Sequence, residues 1–387
     1  MSLITLFYRS IYTITDYKSS GRKGAQAKDE EVLVMEKVSG QKRKSRLRGW
    51  VFWPPFLVLL MVLILGFVSQ DAFLKVVNGV KDWIWGNFKW LFSGYGLAAV
   101  GVCFYACFSK FGNTVIGGKD AKPILGKFNW FAISLCTTIA AGLMFWAAAE
   151  PLYLMSDPSP FFDIEPNSPQ AAVFAMAQMY LHWGITPYAI YALAATVFAF
   201  TYYNMKKPFS LGACISPLLG ERATKGRLAD IIDALCIFIL CAGMSGSLST
   251  GAFSVAGGIS NITGIPTNGI MLIIVMAAII LVYTISASSG IMKGIKWLSS
   301  FNVYIFSFLI LFIFLFGPTK FILNFGVESV GELMDSFFMR NLFTDSMNLG
   351  NSSWSSLGNM KVGYWASYLA WAPVTALFLG KLARGYK

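Results

Sequence analysis

Residues 180–191 read Tyr-Leu-His-Trp-Gly-Ile-Thr-Pro-Tyr-Ala-Ile-Tyr and crowd aromatic rings into about three turns of helix. At ~100° per residue, Tyr180, Tyr188 and Tyr191 fall within about 140° of Trp183, on one broad face. The stretch lies in the middle of an apolar run, Ala171 to Tyr203, whose 33 residues span roughly 50 Å as helix. A bilayer's hydrocarbon core is about 30 Å thick, so the rings sit at membrane depth and not in an interfacial aromatic belt. Two readings remain: ordinary bundle packing, or a midplane box of π faces for a cation. Pro187 stands among the rings and removes one ladder hydrogen bond, which predicts a kink there.

A second aromatic face occurs at 363–373, Gly-Tyr-Trp-Ala-Ser-Tyr-Leu-Ala-Trp-Ala-Pro. Tyr364, Tyr368 and Trp371 stand at i, i+4 and i+7, with Pro373 just beyond. Two such faces beside helix interruptions favour a shared cation site. His182 is the single histidine and reads as a neutral hydrogen-bonding residue, with a proton relay as the alternative. Glu150 and Pro151 end a third apolar run; Glu150 reads as an interfacial hydrogen-bonding carboxylate rather than a proton carrier. The small residues at 140–142 allow either local unwinding or close helix packing. Ser245, Ser247, Ser249 and Thr250 could ligate an ion, although hydroxyls that bond back to their own helix are commoner. No Ser or Cys has a neighbouring base, and the six cysteines form no Cys-x-x-Cys or Cys/His cluster. Neither an enzyme, a disulfide, a metal site nor a cofactor is expected.

The elements that must position these residues are membrane helices. The chain is 56% hydrophobic and only 13% charged, and its apolar runs are far longer than the ten-residue alternating strands of a barrel. Eight spans are expected, at about 50–69, 91–108, 129–149, 171–203, 229–259, 268–286, 298–317 and 362–383. With the N-terminus inside, 25 of the 31 Lys and Arg fall on the inner side and six on the outer. That asymmetry predicts a multi-pass protein of the plasma (inner) membrane with both termini cytoplasmic. It also accounts for the net charge of +12 without nucleic acid, and it lets the basic cluster at 42–48 touch anionic lipid. Residues 1–49 read as a cytoplasmic basic tail. Residues 325–343 mix apolar and acidic residues at helical spacing, as an interfacial helix on the outer surface would.

The whole from 50 to 387 resembles the betaine–choline–carnitine transporter family. His182-Trp183-Gly184-Ile-Thr-Pro187-Tyr188-Ala-Ile-Tyr191 is similar to the family's fourth-span His-Trp-x-x-x-Pro-Trp-x-x-Tyr. Gly142-Leu-Met-Phe-Trp-Ala-Ala-Ala-Glu150-Pro151 is similar to its third-span motif. Tyr364-Trp365 through Trp371-Ala-Pro373 to Arg384-Gly385 is similar to its eighth-span signature. The resemblance implies an all-α polytopic membrane protein with a LeuT-like inverted-repeat fold. Residues 50–128 would form two peripheral spans, 129–317 the first five-helix repeat, 318–361 an extracytoplasmic loop with its interfacial helix, and 362–387 the first helix of a second repeat. On that reading the chain is truncated after the eighth span. The family's substrate is a quaternary-ammonium compound in an aromatic box, which maps onto Trp183, Tyr188, Tyr191 and Tyr368, with Trp371 further along the access path. A homo-oligomer, a trimer, is implied as well. The chain departs from the family at Tyr188, Ser367 and Tyr368, where Trp is usual, and at Thr138 and Ala140, where glycine is. Tyr is the weaker cation–π partner.

The expected function is therefore secondary transport of a betaine-, choline- or carnitine-like osmolyte. The alternatives are an exchanger of two such compounds, or a membrane binder that does not transport. Sodium-coupled members carry two threonines in the fifth span, and Leu240 and Met244 take those places here. Neither offers the hard oxygen that sodium requires, so that sodium site is expected to be missing.

Overall fold

The computed structural model describes residues 48–138, 142–288, 294, 296–350 and 356–387. Apolar runs become helices because backbone groups in hydrocarbon must find their partners inside their own segment. In chain order the main helices are α1 (Gly49–Val68), α2 (Gln70–Phe108), α3 (Lys127–Thr138), α4 (Gly142–Ser156), α5 (Pro169–Trp183) and α6 (Ile185–Ala199). They continue as α7 (Arg227–Thr263), α8 (Gly269–Ser288), α9 (Lys296–Phe316), α10 (Thr319–Leu342) and α11 (Leu357–Leu382). No strand occurs among the described residues.

Seven described stretches are long and apolar enough to cross a membrane, with α5 and α6 counted as one. The chain is thus a multi-pass, all-α membrane protein. The third expected span is described only in part, as α3 and α4 of 12 and 15 residues, with residues 139–141 between them outside the description. Ala140 and the basic tail up to residue 47 also lie outside it. Pro151 does not end its helix, since α4 runs on to Ser156.

Residues 70–90, expected as an outer loop, are helical. They form the first half of the 39-residue α2. The local reasons are a capping hydroxyl at Ser69, which accepts from the Ala72 amide at 3.3 Å, Asp71 in the first turn, and no proline in the stretch. The helix expected at 325–343 is α10, with part of its polar set turned inward while Glu328 and Asp335 stay exposed. Ser329, Ser336, Arg340 and Asn341 are buried, while Val327, Met334 and Phe338 are exposed. Apolar side chains directed outward suit lipid contact. At the other end of the chain's first span, Arg48 pairs with Asp233 at 2.8 Å and with Asp230, fastening α1 to the start of α7.

The aromatic stretch does not kink at Pro187; the helix breaks at Gly184. The Pro187 ring would strike the Trp183 carbonyl four residues earlier, and Pro187 has no N–H to offer it. The chain opens where opening is sterically allowed. Gly184 adopts φ −104° and ψ −125°, and a Cβ there would stand 2.3 Å from the Tyr180 carbonyl oxygen. Helix α6 restarts immediately, so the single broad face expected of a continuous helix does not form.

Helices α6 and α11 pack along each other, α2 lies against both, and α4 and α10 lie against α5. Two glycines permit the approach. A Cβ at Gly96 of α2 would come within 2.9 Å of Trp365 Nε1, and one at Gly380 of α11 within 2.6 Å of Phe198 Cδ1. The largest buried apolar cluster forms at this junction and includes Leu181, Ile190, Tyr191, Trp365 and Tyr368.

Two outcomes follow. Gly184→Ala should destabilise the protein by about 1–3 kcal/mol, read as a lower thermal unfolding midpoint in detergent. Gly94→Ala, with open space beside it in α2, should not lower that midpoint. The charge asymmetry predicts that residues 165 and 225 lie on opposite sides of the membrane. Single cysteines there, in a background cleared of native cysteines, should differ in labelling by an impermeant reagent, and labelling of both from outside would overturn the orientation.

Candidate functional site

Where α5 stops at Trp183, its last carbonyls lose their helical donors. The His182 carbonyl is taken up by Tyr368 of α11, whose hydroxyl donates to it at 3.0 Å. This bond sets the Tyr368 ring between two others. Its centroid is 6.1 Å from that of Trp183, at 79°, and 5.3 Å from that of Tyr191, at 73°. Tyr364, one turn earlier on α11, meets Trp183 edge-on at 5.6 Å and stacks on the His182 ring at 4.2 Å. Offset and edge-to-face contacts of this kind contribute about 0.5–1.5 kcal/mol each beyond the area they bury.

Glu150 of α4 lies beneath the rings, at 0% exposure. Its Oε1 accepts from His182 Nδ1 at 2.6 Å, and its Oε2 from Trp183 Nε1 at 2.8 Å and Tyr364 Oη at 2.5 Å. The sequence expectation is half right: Glu150 is a hydrogen-bonding carboxylate, but it belongs to the interior and joins three helices. A buried carboxylate persists only with such a set of donors.

A polar line continues behind His182. Gln178 Nε2 is 2.9 Å from His182 Nε2, and Arg340 Nη1 of α10 donates to Gln178 Oε1 at 3.0 Å. Arg340 also bonds Ser336 Oγ at 2.5 Å and Glu332 at 2.6 Å, with its guanidinium 4.6 Å from the Phe174 ring centroid. Burial lowers the Arg340 pKa from its ordinary value, and Glu332 opposes that shift. The end of α10 is held in turn by buried Lys361. Its ammonium donates to the carbonyls of Arg340, Asn341 and Phe343 at 3.1, 2.6 and 2.5 Å, serving groups the helix leaves without partners. Asn341 accepts from Thr186 at 2.9 Å, just beyond the break.

Of the residues expected in the box, Trp183, Tyr191 and Tyr368 come together. Tyr188 stands at the edge of this group: it is 37% exposed, yet near enough to Tyr191 and Tyr368 to interact electrostatically with both. Trp371 lies at the margin of the cluster, between it and α7, where a Cβ at Gly243 would stand 3.4 Å from its Nε1. Tyr364 takes the inner place instead. Its signal was present as the first member of the Tyr364, Tyr368, Trp371 stripe, but a stripe does not say which end faces the partner helix. A shallow, largely open apolar groove adjoins the cluster between α2, α6 and α11, lined by Tyr95, Leu193, Leu369 and Ala372. On α7 the hydroxyls of Ser245, Ser249 and Thr250 donate back to their own helix at 2.7, 3.0 and 3.1 Å.

Comparison with known proteins adds to this geometry. Residues 50–387 match the family described as BCCT, betaine/carnitine/choline family transporter. The glycine betaine transporter OpuD of Bacillus subtilis is 30% identical over 337 residues, which cover 87% of this chain and 64% of that protein. The betaine/ectoine transporter LcoP of Corynebacterium glutamicum is 29% identical over 350 residues, 90% of this chain and 55% of that protein. The ectoine/hydroxyectoine transporter of Virgibacillus pantothenticus is 28% identical over 342 residues, 88% of this chain and 67% of that protein. The chain thus spans between about half and two-thirds of the length of these relatives.

Glu150→Gln tests the carboxylate. An amide has one accepting oxygen, and its NH₂ faces at least one of the three donors. A buried donor left without an acceptor costs about 1–3 kcal/mol. A clear fall in the thermal unfolding midpoint is expected, and an unchanged midpoint would remove Glu150 from its place at the centre of the site.

Proposed function

The chain belongs to the betaine/carnitine/choline transporter family, and from that premise we propose that it forms the substrate-binding part of a secondary transporter for a betaine-type quaternary-ammonium osmolyte. The observation that carries the proposal is the convergence of Trp183, Tyr191 and Tyr368 from α5, α6 and α11 at one point of the membrane interior. A trimethylammonium group has no N–H to donate, so neither carbonyls nor carboxylates can hydrogen-bond to it. The faces of aromatic rings attract it through their quadrupoles, and a desolvated contact of this kind contributes about 2 kcal/mol.

Tyr368 meets both Trp183 and Tyr191 edge to face, so a cation that enters between these rings must part α11 from α5 and α6. That separation is the motion a transporter needs. In the inverted-repeat reading, α5 and α6 belong to the first repeat, over residues 129–317, and α11 opens the second. The rocking of one against the other would expose the rings to each side in turn. Tyr188, at the edge, is placed to meet the substrate before the inner rings close.

The test is binding of glycine betaine. Trp183→Leu and Tyr191→Leu should each weaken it roughly tenfold or more, while Tyr191→Phe, which keeps the π face, should come close to the unaltered affinity. Trp371→Leu, on the side of the cluster that faces α7 and without a ring contact to Trp183, Tyr191 or Tyr368, should change it less. An unchanged dissociation constant in both leucine variants of the inner rings would refute the assignment.

A further inference from the structure

Donor and acceptor chemistry fixes the protons along the line from α10 to Glu150. Arg340 has donors only, so the atom 3.0 Å from its Nη1 must be the oxygen of the Gln178 amide. The amide nitrogen then faces His182 Nε2 at 2.9 Å and donates to it. A ring nitrogen that accepts carries no proton, so the imidazole proton sits on Nδ1, 2.6 Å from Glu150 Oε1. A proton on Nε2 would confront the amide hydrogens. The amide cannot turn over to relieve that without setting its NH₂ against the guanidinium.

We propose that Arg340 and Gln178 are positioning residues for the aromatic site: they hold His182 in its neutral Nδ1–H form, and through it they aim Glu150 at Trp183 and Tyr364. Helix α10 thereby sets the geometry of rings carried by α5 and α11. Its last turn is rigid enough for this, being fastened to α11 by Lys361 and to the start of α6 by the Thr186–Asn341 bond. The other polar groups around His182 leave Nε2 to Gln178. Glu150 takes Nδ1, Tyr364 stacks on the ring face, the Tyr368 hydroxyl is on the backbone carbonyl, Lys361 is turned to the carbonyls of α10, and Glu332 holds the far side of Arg340. The effect on substrate rests on the reading of the rings as the betaine site; the assignment of the proton does not.

The single histidine of the 387 residues makes the test direct. The full chain, labelled with ¹⁵N-histidine and placed in lipid, should show one imidazole with a protonated Nδ1 and a bare Nε2. Arg340→Gln releases the Gln178 amide to turn. The Nε2–H or doubly protonated ring should then gain population, and the dissociation constant for glycine betaine should rise several-fold. Gln178→Glu keeps the acceptor for Arg340 but has no hydrogen for Nε2. It should give a doubly protonated ring, and it carries the test should Arg340→Gln not fold. A protonated Nε2 in the unaltered protein, or unaltered imidazole signals in the variants, overturns the proposal. An altered imidazole with unaltered betaine affinity overturns the coupling to substrate. If Trp183→Leu also binds betaine normally, the substrate-site reading is what has failed, and the proton assignment stands.

Discussion

A carboxylate inside an apolar bundle must be surrounded by donors, and Glu150 imposes that requirement on the centre of this protein. Its three donors come from two helices distant in sequence, α5 and α11, and it stands on a third, α4. No helix can satisfy it alone. The demand for hydrogen bonds therefore does what hydrophobicity cannot do in lipid, where apolar helices gain little from exchanging a lipid neighbour for a protein one. It specifies which helices meet and in what rotation. The rings of Trp183 and Tyr364 are aimed by their polar ends, the indole N–H and the phenol O–H, so their faces are presented in fixed orientations.

The break between α5 and α6 adds a second polar constraint. Pro187 denies a hydrogen bond to the turn before it, Gly184 yields, and a carbonyl at His182 is left for Tyr368 to bond. A defect in one helix thus recruits a ring from another. The resulting cluster has one polar underside, at Glu150, and one set of ring edges and faces above it. On the function proposed above, that arrangement would receive a substrate with a positive centre that cannot donate a hydrogen bond.

Helix α10 shows the same logic at the periphery. It lies outside the spans, yet its serines, Arg340 and Asn341 face the protein while Val327, Met334 and Phe338 face away. Buried polar groups at its last turn reach both sides of the α5–α6 break and the start of α11. The outer surface and the ring cluster are consequently parts of one hydrogen-bonded unit, with few ionisable members and each of them paired.

What the sequence determined by itself was whatever is local or cumulative. Long apolar runs specify membrane helices because the backbone has no other way to be satisfied in hydrocarbon. The runs at 171–203 and 362–383 and the rings at 183, 191 and 368 were legible, as were the motifs that carry the family. The tertiary structure alone decided matters that depend on a partner. Periodicity places Tyr364, Tyr368 and Trp371 on one stripe, but only the packing of α11 against α5 and α6 turned Tyr364 inward and Trp371 towards Gly243. A proline announces a missing hydrogen bond, but the break moved to Gly184 because the steric relief there is available to glycine alone. Glu150 could be read as a hydrogen-bonding acid, but not as a buried one, because its donors lie 32, 33 and 214 residues away along the chain. Burial of a charge is a property of the neighbours that surround it, and those neighbours are chosen by the fold.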